Sequence, residues 1–151
     1  MRHGSRALAL ALSAAALVGA APLPASSCDV TIVATGLRNA HGVVRACMTG
    51  DSAQFPRCTN SPTAYRTVVD AAGNVTLTLK GVKPGRYAIA LLHDENGNGK
   101  ADRAGGMIPR EGFGFSRDAK VRFGPPKFGE AAFQVQPGVS ETLTIRMRYL
   151  L

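Results

Sequence analysis

Apolar and polar residues alternate along most of the chain after residue 26. Between residues 75 and 80, Val and Leu alternate with Thr and Lys, which is typical of a strand with one face toward a core. Such alternation predicts strands at residues 28–35, 42–49, 63–70, 75–80, 119–123, 130–136 and 139–149, and a near-continuous apolar run predicts a central strand at 86–93. Turns rich in Gly, Pro and Asn separate these segments. The pattern predicts an all-β, antiparallel sandwich of about seven strands, immunoglobulin-like or transthyretin-like in topology, without a helix.

The first 25 residues have the composition of a secretory signal. Arg2 and Arg6 precede an apolar, alanine-rich stretch, residues 7–21, which is too short to span a bilayer as a stable helix. Cleavage after Ala25 would leave one domain, residues 26–151, with no later apolar run of membrane-spanning length. We therefore expect a soluble protein exported to a bacterial periplasm. Cleavage before Cys28, with a lipid anchor there, is the alternative, although the preceding residues fit a lipoprotein signal poorly.

The chain is basic, with a formal net charge of +8. Two of the 18 basic residues and none of the 10 acidic ones lie in the signal, so residues 26–151 have a formal charge of +6. No run of consecutive Lys or Arg occurs, and basic residues do not alternate with aromatic ones as in single-strand binders. We therefore expect a solvated basic surface and no nucleic-acid partner. An envelope protein or a glycan is the expected class of partner.

Three cysteines make an odd count for an oxidising compartment. Cys47 and Cys58 flank a predicted loop, and a disulfide between them would stabilise the fold by roughly 2–3 kcal/mol in the chain-entropy account. They lack the Cys-x-x-Cys spacing of a redox pair, which favours a structural bond. Cys28 is left over. It could pair with Cys58 instead, stay free or become an acylated N-terminus.

Residues 94–102, DENGNGKAD, have the spacing of a calcium-binding loop. Oxygen-bearing side chains occupy loop positions one, three, five and nine, and a glycine occupies position six. The expected ligands are Asp94, Asn96, Asn98, the Lys100 carbonyl and Asp102, with Glu111 replacing the bidentate Glu that position twelve lacks. So few charges predict weak binding, with a dissociation constant on the order of 10⁻⁴–10⁻³ M. The alternative is a simple turn, because Asp, Asn and Gly are turn formers.

Three motifs in order resemble those of a family of exported bacterial proteins, the domain of unknown function 2141. They are residues 93–102 (HDENGNGKAD), 109–116 (PREGFGFS) and 124–128 (GPPKF). The preceding turn and strand, residues 81–87, resemble the Gly-x-x-Pro-Gly-x-Tyr segment of transthyretin-like and carboxypeptidase-regulatory-like sandwiches. The resemblance covers nearly the whole chain after residue 26. It implies an exported β-sandwich and no established activity.

The long segment after residue 93 contains too many large apolar side chains for a free surface loop. We expect Met107, Ile108, Phe113, Phe115, Phe123 and Phe128 to fold back over the sandwich as a packed cover. The alternative is that Phe113 and Phe115 are exposed and, together with His93, bind a ligand or partner.

The residue arrangements that enzymes use are mostly missing, and no catalytic residue is assigned. Ser116 lacks the Gly-x-Ser-x-Gly context of a nucleophile. The leading hypothesis is a non-catalytic binding or structural module of the bacterial envelope, with a calcium-stabilised loop. The alternative is a small hydrolase that acts on envelope carbohydrate with His93, Asp94 or Glu111.

Overall fold

The computed structural model describes residues 26–151, and the expected secretory signal lies outside the described residues. The strands are β1 (Cys28–Thr35), β2 (Val43–Thr49), β3 (Tyr65–Asp70), β4 (Val75–Val82), β5 (Gly85–Asp94), β6 (Arg103–Ala104), β7 (Ile108–Pro109), β8 (Gly112–Phe115), β9 (Phe133–Val135) and β10 (Glu141–Arg146). A 3₁₀ turn, Ser116–Asp118, and a single helical turn, α1 (Phe128–Ala131), are the helical elements of this part of the chain. The first five strands match the predicted bounds to within two residues.

Two sheets face each other and form the predicted all-β sandwich. One sheet has the order β10-β1-β4 and the other β3-β2-β5-β8, with β9 added to the start of β5 and β6 paired only with β7. The neighbouring strands are antiparallel except β1 and β10, which are parallel. The sequence pattern could not reveal this exception, because apolar residues alternate in the same way whichever direction the neighbouring strand takes.

The main apolar core lies between the two sheets and follows the predicted alternation. Its buried residues include Val30, Ile32 and Ala34 of β1, Val44, Ala46 and Met48 of β2, Leu77 and Leu79 of β4, and Ile145 of β10. A second, smaller cluster lies on the opposite face of β5, because successive strand residues point to opposite sides. There Ala88 packs with Phe115, Ala119 and Ala131. Every strand and both clusters lie within residues 28–149, so a chain beginning at Ser26 contains the whole described fold.

The predicted disulfide between Cys47 and Cys58 is present, with a Cα–Cα distance of 6.4 Å. Cys28 is a buried free thiol at the start of β1. The pairing of Cys28 with Cys58 is therefore not the one that this structure adopts.

Within residues 26–151, no helix has the length and apolar character needed to cross a bilayer.

Three secondary-structure predictions after residue 110 were wrong. Residues 119–123 form no strand, since Ala119 and Val121 pack into the second cluster from a loop. Residues 130–136 contain only the short β9, because the chain first makes the helical turn α1. Residues 112–115 form β8 rather than a loop. Gly112 and Gly114 hid this strand, since alternation cannot be read from residues without side chains.

The expected packed cover forms only in part. Phe115 is buried and Phe113 and Phe128 pack beside it, as predicted. Met107, Ile108 and Phe123 are instead exposed, by 81%, 46% and 109% of their reference areas. The first two lie at the tip and in the second strand of the β6–β7 hairpin, which pairs only with itself and reaches neither core.

Candidate functional site

Asp94 is a fully buried carboxylate at the end of β5. Its Oδ2 accepts hydrogen bonds from Arg45 Nε at 2.6 Å and from the Gly99 amide at 2.9 Å, and its Oδ1 accepts one from the Asn98 amide at 3.0 Å. Burial raises the pKa of Asp94, but Arg45 and the two amides outweigh it and hold the pKa below its usual value. Asp94 is therefore an ionised anchor around which the following loop turns.

The side chains of Asn96 and Asn98 shape the loop itself. Their carbonyl oxygens accept hydrogen bonds from the amides two residues ahead, at 3.1 Å and 2.8 Å. Their NH₂ groups both donate to Asp102 Oδ2 at 2.8 Å. The structure thus brings Asp94, Asn96, Asn98 and Asp102 together, and the local bonds are those of the turn-forming alternative. Lys100 lies on the exposed side of this loop.

Glu111 folds back onto the loop. Its side chain is only 5% exposed, and Oε2 accepts a hydrogen bond from the Asp102 amide at 3.1 Å. Oε1 is the one buried side-chain polar atom of residues 26–151 that has no hydrogen-bond partner. Burial raises the pKa of Glu111, and the charges of Asp94 and Asp102 raise it further. The amides of Asp102 and Glu95 oppose the rise, but neither bonds to Oε1.

The geometry around Glu111 is short of a complete metal centre. Among the described residues, no three His, Cys, Asp or Glu side chains converge closely enough to hold an ion. Asp94 and Asp102 nevertheless lie close enough to Glu111 for their charges to raise its pKa. The arrangement is an excess of negative charge beside one carboxylate oxygen without a donor.

His93 is fully buried and both of its ring nitrogens are engaged. Nε2 lies 2.9 Å from the His41 carbonyl oxygen, and Nδ1 lies 2.7 Å from the Tyr149 hydroxyl oxygen. Because a carbonyl can only accept, Nε2 carries a hydrogen and donates it to His41, while Nδ1 is hydrogen-bonded to the Tyr149 hydroxyl. His93 therefore joins β5 to the turn after β1 and to the C-terminal segment, and offers no free nitrogen to a ligand.

The two phenylalanines proposed for binding are also occupied by packing. Phe115 meets the Phe55 ring edge-to-face at 5.8 Å, and Phe113 lies 6.0 Å from Phe115. Two open depressions of about 570 and 600 Å³ lie elsewhere, lined by residues between 50 and 66 and by Lys83 and Tyr87. Neither depression is lined by the candidate site residues His93, Asp94, Glu111, Phe113 and Phe115.

A family model described as "Uncharacterized protein conserved in bacteria (DUF2141)" matches residues 32–142. The chain belongs to DUF2141. The match spans all three motifs on which the resemblance was based, and the resemblance is confirmed. No curated protein and no solved structure matches the chain.

A cluster around Arg38 also closes the loop of this DUF2141 chain, and the sequence did not reveal it. Arg38 Nε and Nη2 donate to Glu95 at 2.9 and 2.5 Å, and Nη2 donates to the Arg110 carbonyl at 3.0 Å. Its guanidinium also donates to the Leu151 carbonyl and lies 4.6 Å from the centre of the Tyr149 ring. The hydrogen bonds from Arg38, helped by one from the Asn39 side chain, lower the pKa of Glu95 to about 2. Residues 57 positions apart show no local pattern, so only the fold reveals the pair.

Proposed function

We propose that this DUF2141 chain is a non-catalytic binding or structural module of the bacterial envelope, in which a calcium ion orders the loop from Asp94 to Glu111. The observation that supports it most is the buried Glu111 Oε1, which has no donor and lies beside two other carboxylates. A buried charge without a partner costs free energy unless a cation or a donor satisfies it. A hard divalent cation would satisfy this oxygen and offset the repulsion from Asp94 and Asp102 at once.

The donors present fit calcium, because they are all oxygens. Asp94 Oδ1 accepts one hydrogen bond and keeps a lone pair, whereas Oδ2 is taken up by Arg45 and Gly99. Asp102 and Glu111 supply two further carboxylates, and Asn96, Asn98 and the Lys100 carbonyl supply neutral oxygens. Calcium accepts six to eight such ligands in flexible geometry, with water completing the shell. When bound, the ion would add charge neutralisation and cross-linking of the loop ends.

A non-catalytic role agrees with the burial of the residues that the hydrolase alternative would use. His93 and Asp94 are fully buried and Glu111 is 5% exposed, so a polysaccharide could not reach them without opening of the loop. Hydrogen bonds also engage both His93 nitrogens. An envelope location agrees with the Cys47–Cys58 bond, because disulfides persist in oxidising compartments.

Thermal unfolding of residues 26–151 with calcium or with chelator tests the proposal. For a dissociation constant of about 10⁻⁴–10⁻³ M, 10 mM calcium would add roughly 1.4–2.7 kcal/mol of stability by mass action. In a domain of this size that is a rise in midpoint of roughly 5–10 °C. Magnesium at equal concentration should have less effect, since it loses its water reluctantly.

Glu111→Gln separates the proposal from a loop ordered only by hydrogen bonds. Because the pKa of Glu111 is raised on folding, its ionised form opposes folding at neutral pH, and this penalty is absent below the unfolded pKa. The variant should therefore unfold at a higher temperature in chelator and lose the calcium response. Glu141→Gln, the same change on β10, should keep that response. A midpoint unmoved by calcium in the unsubstituted chain, or a full response in Glu111→Gln, refutes the calcium site.

A further inference from the structure

The loop at residues 119–127 is packed against the protein at both ends and projects one large aromatic side chain, Phe123, into solvent. Ala119 is buried and Val121 packs into the second cluster at one end. Pro126 is buried at the other end, and Phe128 packs edge-to-face against Phe55 at 6.1 Å. Phe123, between these anchors, is fully exposed. Transfer of this exposed phenylalanine side chain from water to an apolar surface would be favourable by roughly 1.5–3 kcal/mol.

The side chains around Phe123 are cationic. Lys120, Arg122 and Lys127 are all exposed, and residues 119–127 contain no Asp or Glu. Within the described part of the chain, none of these three bases forms an ion pair with an acidic side chain. The nearest preceding acid, Asp118, accepts a hydrogen bond from the Arg146 amide at 3.0 Å. The nearest following acid, Glu130, accepts a hydrogen bond from the Lys127 amide at 2.7 Å, so the loop itself presents one apolar tip among three basic side chains.

We propose that this loop docks on an anionic lipid bilayer, with Phe123 inserted at the interface and Lys120, Arg122 and Lys127 against the lipid headgroups. Positive charge is complementary to anionic headgroups, and an aromatic ring is well accommodated at the interfacial depth. A projecting single side chain favours a bilayer over a protein partner, because a bilayer receives it without a shaped pocket. The contact is peripheral and reversible, since one ring and three charges give marginal membrane affinity.

Tryptophan fluorescence gives a direct test, because the chain contains no Trp. Phe123→Trp in residues 26–151 makes the only indole, at the tip of the loop. Its emission should shift to the blue on mixing with vesicles of phosphatidylcholine and phosphatidylglycerol, and stay unchanged with phosphatidylcholine alone. Val139→Trp places the indole at another exposed apolar position, in a turn without basic neighbours, and its emission should not shift.

Sedimentation with the same vesicles measures how much each part of the loop contributes. Phe123→Ser should lower the partition coefficient about tenfold or more, which follows from the transfer of one aromatic ring. Lys120→Gln and Arg122→Gln should each lower it about fivefold, and added salt should lower it further. Val139→Ser should bind like the unsubstituted chain.

Two results would overturn the lipid proposal. One is the absence of sedimentation and of a blue shift with phosphatidylglycerol vesicles, which would redirect the search to a protein partner. The other is binding that Phe123→Ser leaves intact, which would indicate a purely electrostatic contact without insertion. All measurements are made in chelator, so their outcome does not depend on the calcium site.

Discussion

Acid should weaken this fold measurably through a single carboxylate, Glu95. Its side chain is 16% exposed and receives two hydrogen bonds from Arg38. Arg38 also contacts Arg110 and Tyr149, so the pair connects the turn after β1 to both ends of residues 94–111 and to the C-terminal segment. The substitution Glu95→Gln keeps the size of the side chain, removes its charge and replaces one of its two acceptor oxygens by an NH₂ group. The difference in unfolding free energy between the unsubstituted chain and this variant therefore reports the ion pair together with the hydrogen bonds of that oxygen.

The magnitude follows from the pKa of Glu95, which hydrogen bonds from Arg38 and, to a smaller extent, from Asn39 lower from 4.5 to about 2. Such a shift corresponds to at most about 3 kcal/mol of folding free energy. Arg38 is 37% exposed, and solvent screening reduces the expected value to between about 1 and 3 kcal/mol. Because the folded pKa lies below the unfolded one, this stability is fully present above pH 4.5. It is lost as the pH falls through about 2.

Urea unfolding of residues 26–151 and of Glu95→Gln, at intervals from pH 6 to pH 2, measures this contribution. The unsubstituted chain should be more stable by about 1–3 kcal/mol at pH 6, and the two chains should converge near pH 2. Glu141→Gln is the control and should show no such convergence, because Glu141 forms no ion pair in the described chain. A difference that stays constant across this range, or none at pH 6, would refute the reasoning.

Two further substitutions test the packing of residues 112–116 against the rest of the fold. Gly112→Ala would place a Cβ atom 2.3 Å from the Tyr149 ring, and this overlap should lower the free energy of unfolding in urea by about 1–3 kcal/mol. Gly73 has open space around it, so the control Gly73→Ala should change that free energy by less than about 0.5 kcal/mol. Ser116→Ala removes a buried hydroxyl that accepts from the Ile89 amide and donates to the Ala131 carbonyl, and should lower stability by about 1–3 kcal/mol, while exposed Ser140→Ala should not.

The sequence predicted the strands best where side chains report burial directly. In β1, β2 and β4 every second residue is apolar and buried, so alternation alone located the strands and their inner faces. The disulfide was also predictable, because its two cysteines flank one loop. Prediction of strands from alternation failed at Gly112 and Gly114, where added Cβ atoms would lie 2.3 and 2.8 Å from Tyr149 and Ile145. In β8 these two positions are glycine because neighbouring side chains leave no room for a Cβ atom, so they do not contribute to a pattern of alternating apolar and polar side chains.

The residue spacing of the loop predicted which side chains form the candidate site, but not the distant residues that bind to them. Loop spacing brought Asp94 and Asp102 into one hypothesis, and Glu111 was placed with them as the nearest later carboxylate. Neither the Arg45 bond to Asp94 nor the Arg38 bonds to Glu95 could be predicted, because these partners are 49 and 57 positions apart. The exposure of Phe123 was missed for a related reason. Hydrophobicity indicates that a residue would be stable in a core, but only the path of the chain decides whether it reaches one.

The segment from Asp94 to Phe128 therefore combines two unlike parts on one strand. Up to Glu111 it is held by charges and hydrogen bonds at the end of β5, and from Phe113 onward it is held by aromatic packing on the outer face of β5. The first part is sensitive to acid and, in our proposal, to calcium, whereas the second depends on apolar burial. Chelator or low pH should thus loosen residues 94–111 while Phe115 stays packed against Phe55. Hydrogen exchange would show this as faster exchange at Asn98 and Gly99 with unchanged protection in β8, and equal loss in both parts would mean that they unfold as one unit.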